Sequence, residues 1–118
     1  MFEVEKRFSF EAGHVLKSHT GKCCRPHGHS YVLKVAVRRK ALLNEGMVMD
    51  FGDISAVVKP MLNEFFDHKW LNDTLKMDDP TSERICAWIY GYLESKISGL
   101  YRITIFETEN SCASYWKE

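Results

Sequence analysis

A chain of 118 residues with 45% apolar and 27% charged side chains has the common size of a single domain and can bury a core without a disulfide framework. Its sixteen basic residues balance sixteen acidic ones, which argues against a surface that coats nucleic acid or lies on a membrane, though not against a local basic pocket. No apolar signal core follows Met1 and no run reaches transmembrane length. A cytoplasmic protein with one domain, residues 1–118, is therefore expected, in which Cys23, Cys24, Cys86 and Cys112 are buried, metal-binding or catalytic rather than disulfide-bonded.

The even positions from the start are Phe2, Val4, Lys6, Phe8, Phe10, Ala12 and His14, with mostly polar residues between them. This period of two predicts a strand with one buried face, blemished only by Lys6 and ending at His14. A loop from Lys17 to Pro26 leads into a second strand with Tyr31, Leu33, Val35 and Val37 at odd positions, and His27 and His29 extend that set backwards. After a turn at Asn44-Glu45-Gly46 and a short apolar run at Met47-Val48-Met49, Asp53 reads as the N-cap of a helix. Ile54, Val57, Val58, Met61, Leu62, Phe65 and Phe66 form its apolar face, and Pro60 should kink it. Asp67 to Asn72 closes this helix and begins a loop. A second helix starts near Asp79-Pro80-Thr81-Ser82-Glu83, buries Ile85, Cys86, Trp88, Ile89, Tyr92, Leu93 and Ile97, and stops at Ser98-Gly99. Tyr101 to Thr108 reads as a strand with Ile103, Ile105 and then Glu107 on one parity, and Cys112 to Trp116 as a short final strand. The order ββααββ predicts an α+β fold, a four-stranded antiparallel sheet with two helices between its hairpins packed on one face.

His14, His27 and His29 share the inward parity near one end of an antiparallel pair. Three neutral imidazoles with no fourth protein ligand would leave a zinc ion an open coordination position, as in catalytic sites. A closed Cys2His2 site from Cys23, Cys24, His27 and His29 is the alternative, disfavoured because adjacent cysteines suit one tetrahedral metal poorly. Cys23 is either an inert loop thiol or a thiolate activated by Lys22, Arg25 and the metal. The Asp67-His68 pair reads first as a helix-end cap and otherwise as a proton-transfer dyad. Glu107 is either a strand-end acid paired with Lys or Arg, or an inward carboxylate able to accept two parallel hydrogen bonds from a planar amidine-like edge. Glu83 reads as a helix-dipole residue.

Phe-Glu-Ala-Gly-His14, Cys23-x3-His27-Gly-His29, Gly46-Met-Val-Met-Asp-Phe51, Asp67-His68-x2-Leu71-Asn72, Pro80-Thr-Ser-Glu83 and Glu107-Thr108 follow one another in this order. With them the chain resembles the 6-pyruvoyltetrahydropterin synthase and 6-carboxytetrahydropterin synthase family over nearly its whole length. The resemblance implies a tunnelling fold (T-fold) built into a barrel-like trimer and usually a hexamer, with active sites at subunit interfaces. It implies that His14, His27 and His29 bind zinc, that Cys23 is the general base with Asp67 and His68 as its proton-transfer partner, and that Glu107 anchors a pterin. Thr81 would join Glu107 in binding substrate, and Lys22 and Arg25 are candidates to meet its triphosphate. The three-residue gap between Cys23 and His27 is similar to the carboxy branch, which serves queuosine and other deazapurine biosynthesis. That branch converts 7,8-dihydroneopterin triphosphate to 6-carboxytetrahydropterin; in the pyruvoyl branch triphosphate leaves without carbon–carbon cleavage. Cys24 stands where that pattern expects a small residue. A non-catalytic zinc-binding module is the reading from a different class.

Overall fold

The computed structural model describes residues 1–21 and 24–118, so Lys22 and Cys23 lie outside the described residues. Strand β1 (Phe2–His14) and strand β2 (His27–Arg39) pair antiparallel along their whole length, from Phe2 opposite Arg39 to His14 opposite His27. Thirteen residues at about 3.3 Å each give a hairpin about 43 Å long, which accounts for most of the molecule's longest dimension of 51 Å. Helix α1 (Phe51–Phe65) follows, then strand β3 (Lys69–Trp70), the single-turn helix α2 (Leu71–Thr74), helix α3 (Ser82–Leu93), and the hairpin of β4 (Leu100–Thr108) with β5 (Ser111–Tyr115). The strands form one sheet in the order β3-β1-β2-β4-β5.

The α+β architecture is the predicted one, with a fifth strand added. β3 runs parallel to β1 at Ala12 and Gly13 and is only two residues long, too short to carry any periodic signal. Glycine at position 13 makes this pairing fit. A Cβ there would lie 3.0 Å from Cε3 and Cζ3 of Trp70, so the indole packs where only a glycine leaves room.

The buried parity of the strands is the one the alternation indicated. Phe8, Phe10 and Ala12 of β1, Tyr31, Leu33, Val35 and Val37 of β2, and Ile103 and Ile105 of β4 pack with Ile54, Val58 and Met61 of α1 and Ile85, Cys86, Ile89 and Leu93 of α3 in one cluster. Lys6 is half-buried. Its long alkyl stem lets the ammonium reach the surface from an otherwise apolar row.

Helix boundaries depart from expectation in instructive ways. The N-cap of α1 is Asp50, not Asp53: the Asp50 carboxylate accepts from the Gly52 N–H at 2.6 Å, and Asp53 sits in the first turn. Either aspartate suits the positive end of a helix, and only the backbone, extended at Asp50, separates the cap from its neighbour. α1 runs unbroken from Phe51 to Phe65 with Pro60 inside it. α3 stops at Leu93, short of Ser98-Gly99, while Ile97 stays buried beyond its end. Asp50→Ala should lower unfolding free energy in urea by about 1 kcal/mol, the usual cost of a lost N-cap. Asp53→Ala should cost clearly less.

A candidate metal centre at the end of the long hairpin

The long hairpin positions its histidines before any ligand is considered. His14 ends β1, His27 begins β2 directly opposite it, and His29 follows two residues later on the same face. Their ring centroids are 4.5, 4.8 and 5.2 Å apart. Glu107 arrives from β4, whose antiparallel register with β2 places Phe106 opposite Val32. One ligating atom from each of His14, His27, His29 and Glu107 can be chosen so that all lie within 4.8 Å of one another.

Two of the imidazoles are oriented by main-chain carbonyls. His14 Nδ1 lies 2.9 Å from the Pro80 carbonyl and His27 Nδ1 lies 2.7 Å from that of Arg25. A carbonyl only accepts, so each Nδ1 carries the proton and each Nε2 presents its lone pair. This is the arrangement in which outer groups aim metal-binding histidines. His29 supplies a further sign. Its Nε2 is buried and has no hydrogen-bond partner among the described residues, although Glu107 Oε1 stands 2.9 Å away. The short distance is not a hydrogen bond in geometry, and an orphaned, buried imidazole nitrogen facing a carboxylate fits a bound cation.

The electrostatics agree with that fit. Burial pushes the His29 pKa down, against the opposing pull of Glu107, and its two histidine neighbours push the same way as burial. The contact with His14 holds the Glu107 carboxyl below its usual range despite partial burial, with the charge of His29 adding to the effect. The site therefore disfavours protonation of His29 and favours an ionised Glu107, states that suit ligation of a metal. Tyr31, fully buried, brings its hydroxyl to 3.4 Å from His14 Nε2, and burial drives its pKa well above the usual phenol value.

The other predicted residues divide into groups. Asp67 and His68 form a dyad, with Asp67 Oδ2 3.1 Å from His68 Nδ1. Asp67 Oδ1 accepts from the Glu11 N–H at 3.0 Å, and this bond first, the imidazole second, holds its carboxyl low. The first reading of His68, as a cap on the last carbonyls of α1, is not what the structure shows. Leu62 O at the end of α1 receives the Phe66 and Asp67 N–H groups, and Phe65 O receives the Thr74 hydroxyl. His68 adopts a positive φ of 58°, donates its own N–H to Glu11 O, and leaves its ring 78% exposed. The dyad is thus fixed to the edge of β1, three positions before His14. A shallow groove of about 370 Å³ joins His68 across Gly13 and Gly28 to His29.

Glu107 faces two ways. Ser82 Oγ lies 3.4 Å from its second oxygen, and both residues line a recess of about 180 Å³ with Glu83, Ser111, Cys112 and Ala113. Thr81 serves as the N-cap of α3, accepting from Arg84 N at 3.2 Å. The Arg25 side chain is exposed, and its carbonyl is what touches the cluster. Among the described cysteines, Cys24 is exposed and gives no atom to the metal group, while burial pushes the Cys86 thiol up to about 12. Predicted roles for Cys23 and Lys22 lie outside the described residues. Pattern reading did not assign Tyr31 or the carbonyls of Arg25 and Pro80 to the site. Tyr31 could have been found from its parity with His27 and His29, whereas a main-chain carbonyl has no signature in sequence.

An antiparallel-based sheet with helices packed on one face and convergent imidazoles at one end defines a T-fold protein with a candidate metal centre. A family model described as 6-pyruvoyl tetrahydropterin synthase matches residues 3–118, and the chain belongs to that enzyme family. It is 45% identical over 121 residues to the 6-carboxy-5,6,7,8-tetrahydropterin synthase of Synechocystis, with 98% of this chain and 94% of that one covered. A protein of the same name from Aquifex aeolicus is 29% identical over 161 residues, with 99% of each chain covered. Among solved structures, the 6-pyruvoyl tetrahydropterin synthase of Caenorhabditis elegans superimposes with a TM-score of 0.88 at 30% identity, covering 99% of this chain and 96% of that one.

Elemental analysis should find stoichiometric metal in the purified protein and little in His14→Ala or His29→Ala. A closed site built on Cys23, Cys24, His27 and His29 would keep its metal in the His14 variant.

Proposed function

We propose that this chain is a zinc-dependent 6-carboxy-5,6,7,8-tetrahydropterin synthase. It converts 7,8-dihydroneopterin triphosphate to 6-carboxytetrahydropterin with release of triphosphate and acetaldehyde, as a step in queuosine or related deazapurine biosynthesis. The observation that carries this reading is the convergence of His14, His27 and His29, with two Nε2 lone pairs freed by carbonyl bonds, in a chain so similar to proteins of that name.

His14, His27 and His29 would hold the zinc, which would supply Lewis-acid polarisation of the substrate's side-chain oxygens. The remaining work falls to the chain's own side chains. Glu107 keeps the pterin in register through its ionised carboxylate, which opens onto the Ser82 recess. Cys23 takes a proton as the thiolate base, and His68, aligned by Asp67, moves the proton on the other side. Lys22 and Arg25, flanking Cys23 in sequence, meet the triphosphate and favour the thiolate.

The active unit is an oligomer, a trimer or a hexamer of two trimers, with sites between subunits. Two features support this. Among the described residues, β1 has ladder partners on its outer side only at Ala12 and Gly13, and β5 pairs only with β4, so each end of the sheet offers an open edge. The dyad lies on the first of these edges with its imidazole turned to solvent, suited to complete a neighbour's metal centre.

Incubation of the zinc-loaded protein with dihydroneopterin triphosphate should yield acetaldehyde and a pterin of the 6-carboxy mass. A pyruvoyl-type product without acetaldehyde would overturn the branch assignment. Cys23→Ala should abolish turnover while keeping zinc. Asp67→Asn, which retains an acceptor for Glu11 N–H but no longer supports the imidazolium, should lower kcat by about 10²–10⁴-fold at unchanged zinc content.

A further inference from the structure

We propose that Asn72 is a positioning residue for the metal centre, holding the His14 imidazole through the two backbone segments that fix it; this rests on the zinc reading above. Asn72 is 7% exposed, one of very few polar residues buried so deeply among the described ones. Its carboxamide is fully engaged. Oδ1 accepts from the Val15 N–H at 2.8 Å, and Nδ2 donates to the Val15 carbonyl at 2.8 Å and to the Asp78 carbonyl at 3.1 Å. The paired donor and acceptor on Val15 fix which way the amide faces.

Both targets bear on His14. β1 and its pairing with β2 end at His14, so Val15 is the first residue whose backbone leaves the sheet. The side-chain amide of Asn72 takes the place of a strand neighbour there, occupying both polar groups of Val15 and holding the end of β1 in line. Asp78 lies two residues before Pro80, whose carbonyl receives the His14 Nδ1 proton. The Asn72 main-chain oxygen also accepts from Met77 N–H at 3.1 Å, closing the turn that carries this segment. One residue thus fixes the backbone beside the imidazole and the loop bearing the carbonyl that selects its tautomer. Thr74 offers a contrast on the same helical turn. Its hydroxyl bonds to Phe65 O at 2.7 Å and to Trp70 O, and to neither His14 segment.

The test compares wild type, Asn72→Ala, Asn72→Asp and Thr74→Ala as full chains. Zinc affinity is measured by competition with a chromophoric chelator, ligand geometry by the visible spectrum after cobalt(II) replacement, and stability by thermal unfolding of the metal-free proteins. Both Asn72 variants should bind zinc about 10- to 100-fold more weakly, the usual effect of losing an outer partner of a ligand, and should alter the cobalt bands. Thr74→Ala should lower the unfolding midpoint and leave both metal readouts unchanged. Asn72→Asp is isosteric, keeps the acceptor for Val15 N–H, and loses both donors, so it carries the test if the alanine variant does not fold. Wild-type zinc affinity with an unchanged cobalt spectrum in either folded Asn72 variant overturns the proposal. Failure of the wild-type chain to bind either metal overturns the zinc reading itself, and this assignment with it.

Discussion

The register between β1 and β2 governs the rest of the molecule. Pairing runs without interruption from Phe2 opposite Arg39 to His14 opposite His27, and a slip of one residue would turn every inward side chain of one strand outward. Core packing prevents that slip. Phe8 meets Leu33, Phe10 stacks on Tyr31 with centroids 5.0 Å apart, and α1 and α3 close over these residues. On the outer face, the Ser30 hydroxyl donates to Glu11 at 2.6 Å, a polar pair that reports the same alignment. The apolar contacts that stabilise the hairpin therefore also bring the histidines together. Substrate-level chemistry at one end depends on burial along the whole length.

Within that frame, backbone groups carry much of the orientation at the candidate metal centre. The carbonyls of Pro80 and Arg25 each draw the Nδ1 proton of one imidazole, which turns Nε2 toward the shared space. Burial then disfavours protonated His29, while contact with the histidines keeps Glu107 ionised. Both effects follow from a low-dielectric pocket, where a charge survives only beside a complementary partner. Cation binding would satisfy the His29 Nε2, which has no hydrogen-bond partner among the described residues.

The dyad occupies a different environment. Asp67 and His68 sit on the open edge of β1, tied to Glu11 by two hydrogen bonds, with the imidazole in solvent. Exposed edges recruit further strands. The carboxylate–imidazole pair is thereby held on an edge that a further strand could approach. The rigid sheet then sets distances that a loop could not.

By itself the sequence determined the two long strands, their inward parity, the two main helices and the three histidines, because each is a local periodicity or a residue type with few structural alternatives. It also carried Glu107 inward on the parity of Ile103 and Ile105, and the ordered motifs pointed to the family. Only the tertiary structure decided that Asp50 rather than Asp53 caps α1, that Lys69–Trp70 joins the sheet, and that His68 engages Asp67 rather than the helix end. It alone brought Pro80 and Tyr31 to His14, from 66 and 17 positions away, and Asn72 to Val15, from 57. These contacts join residues remote in sequence, or use main-chain atoms common to every residue type, and neither leaves a pattern along the chain.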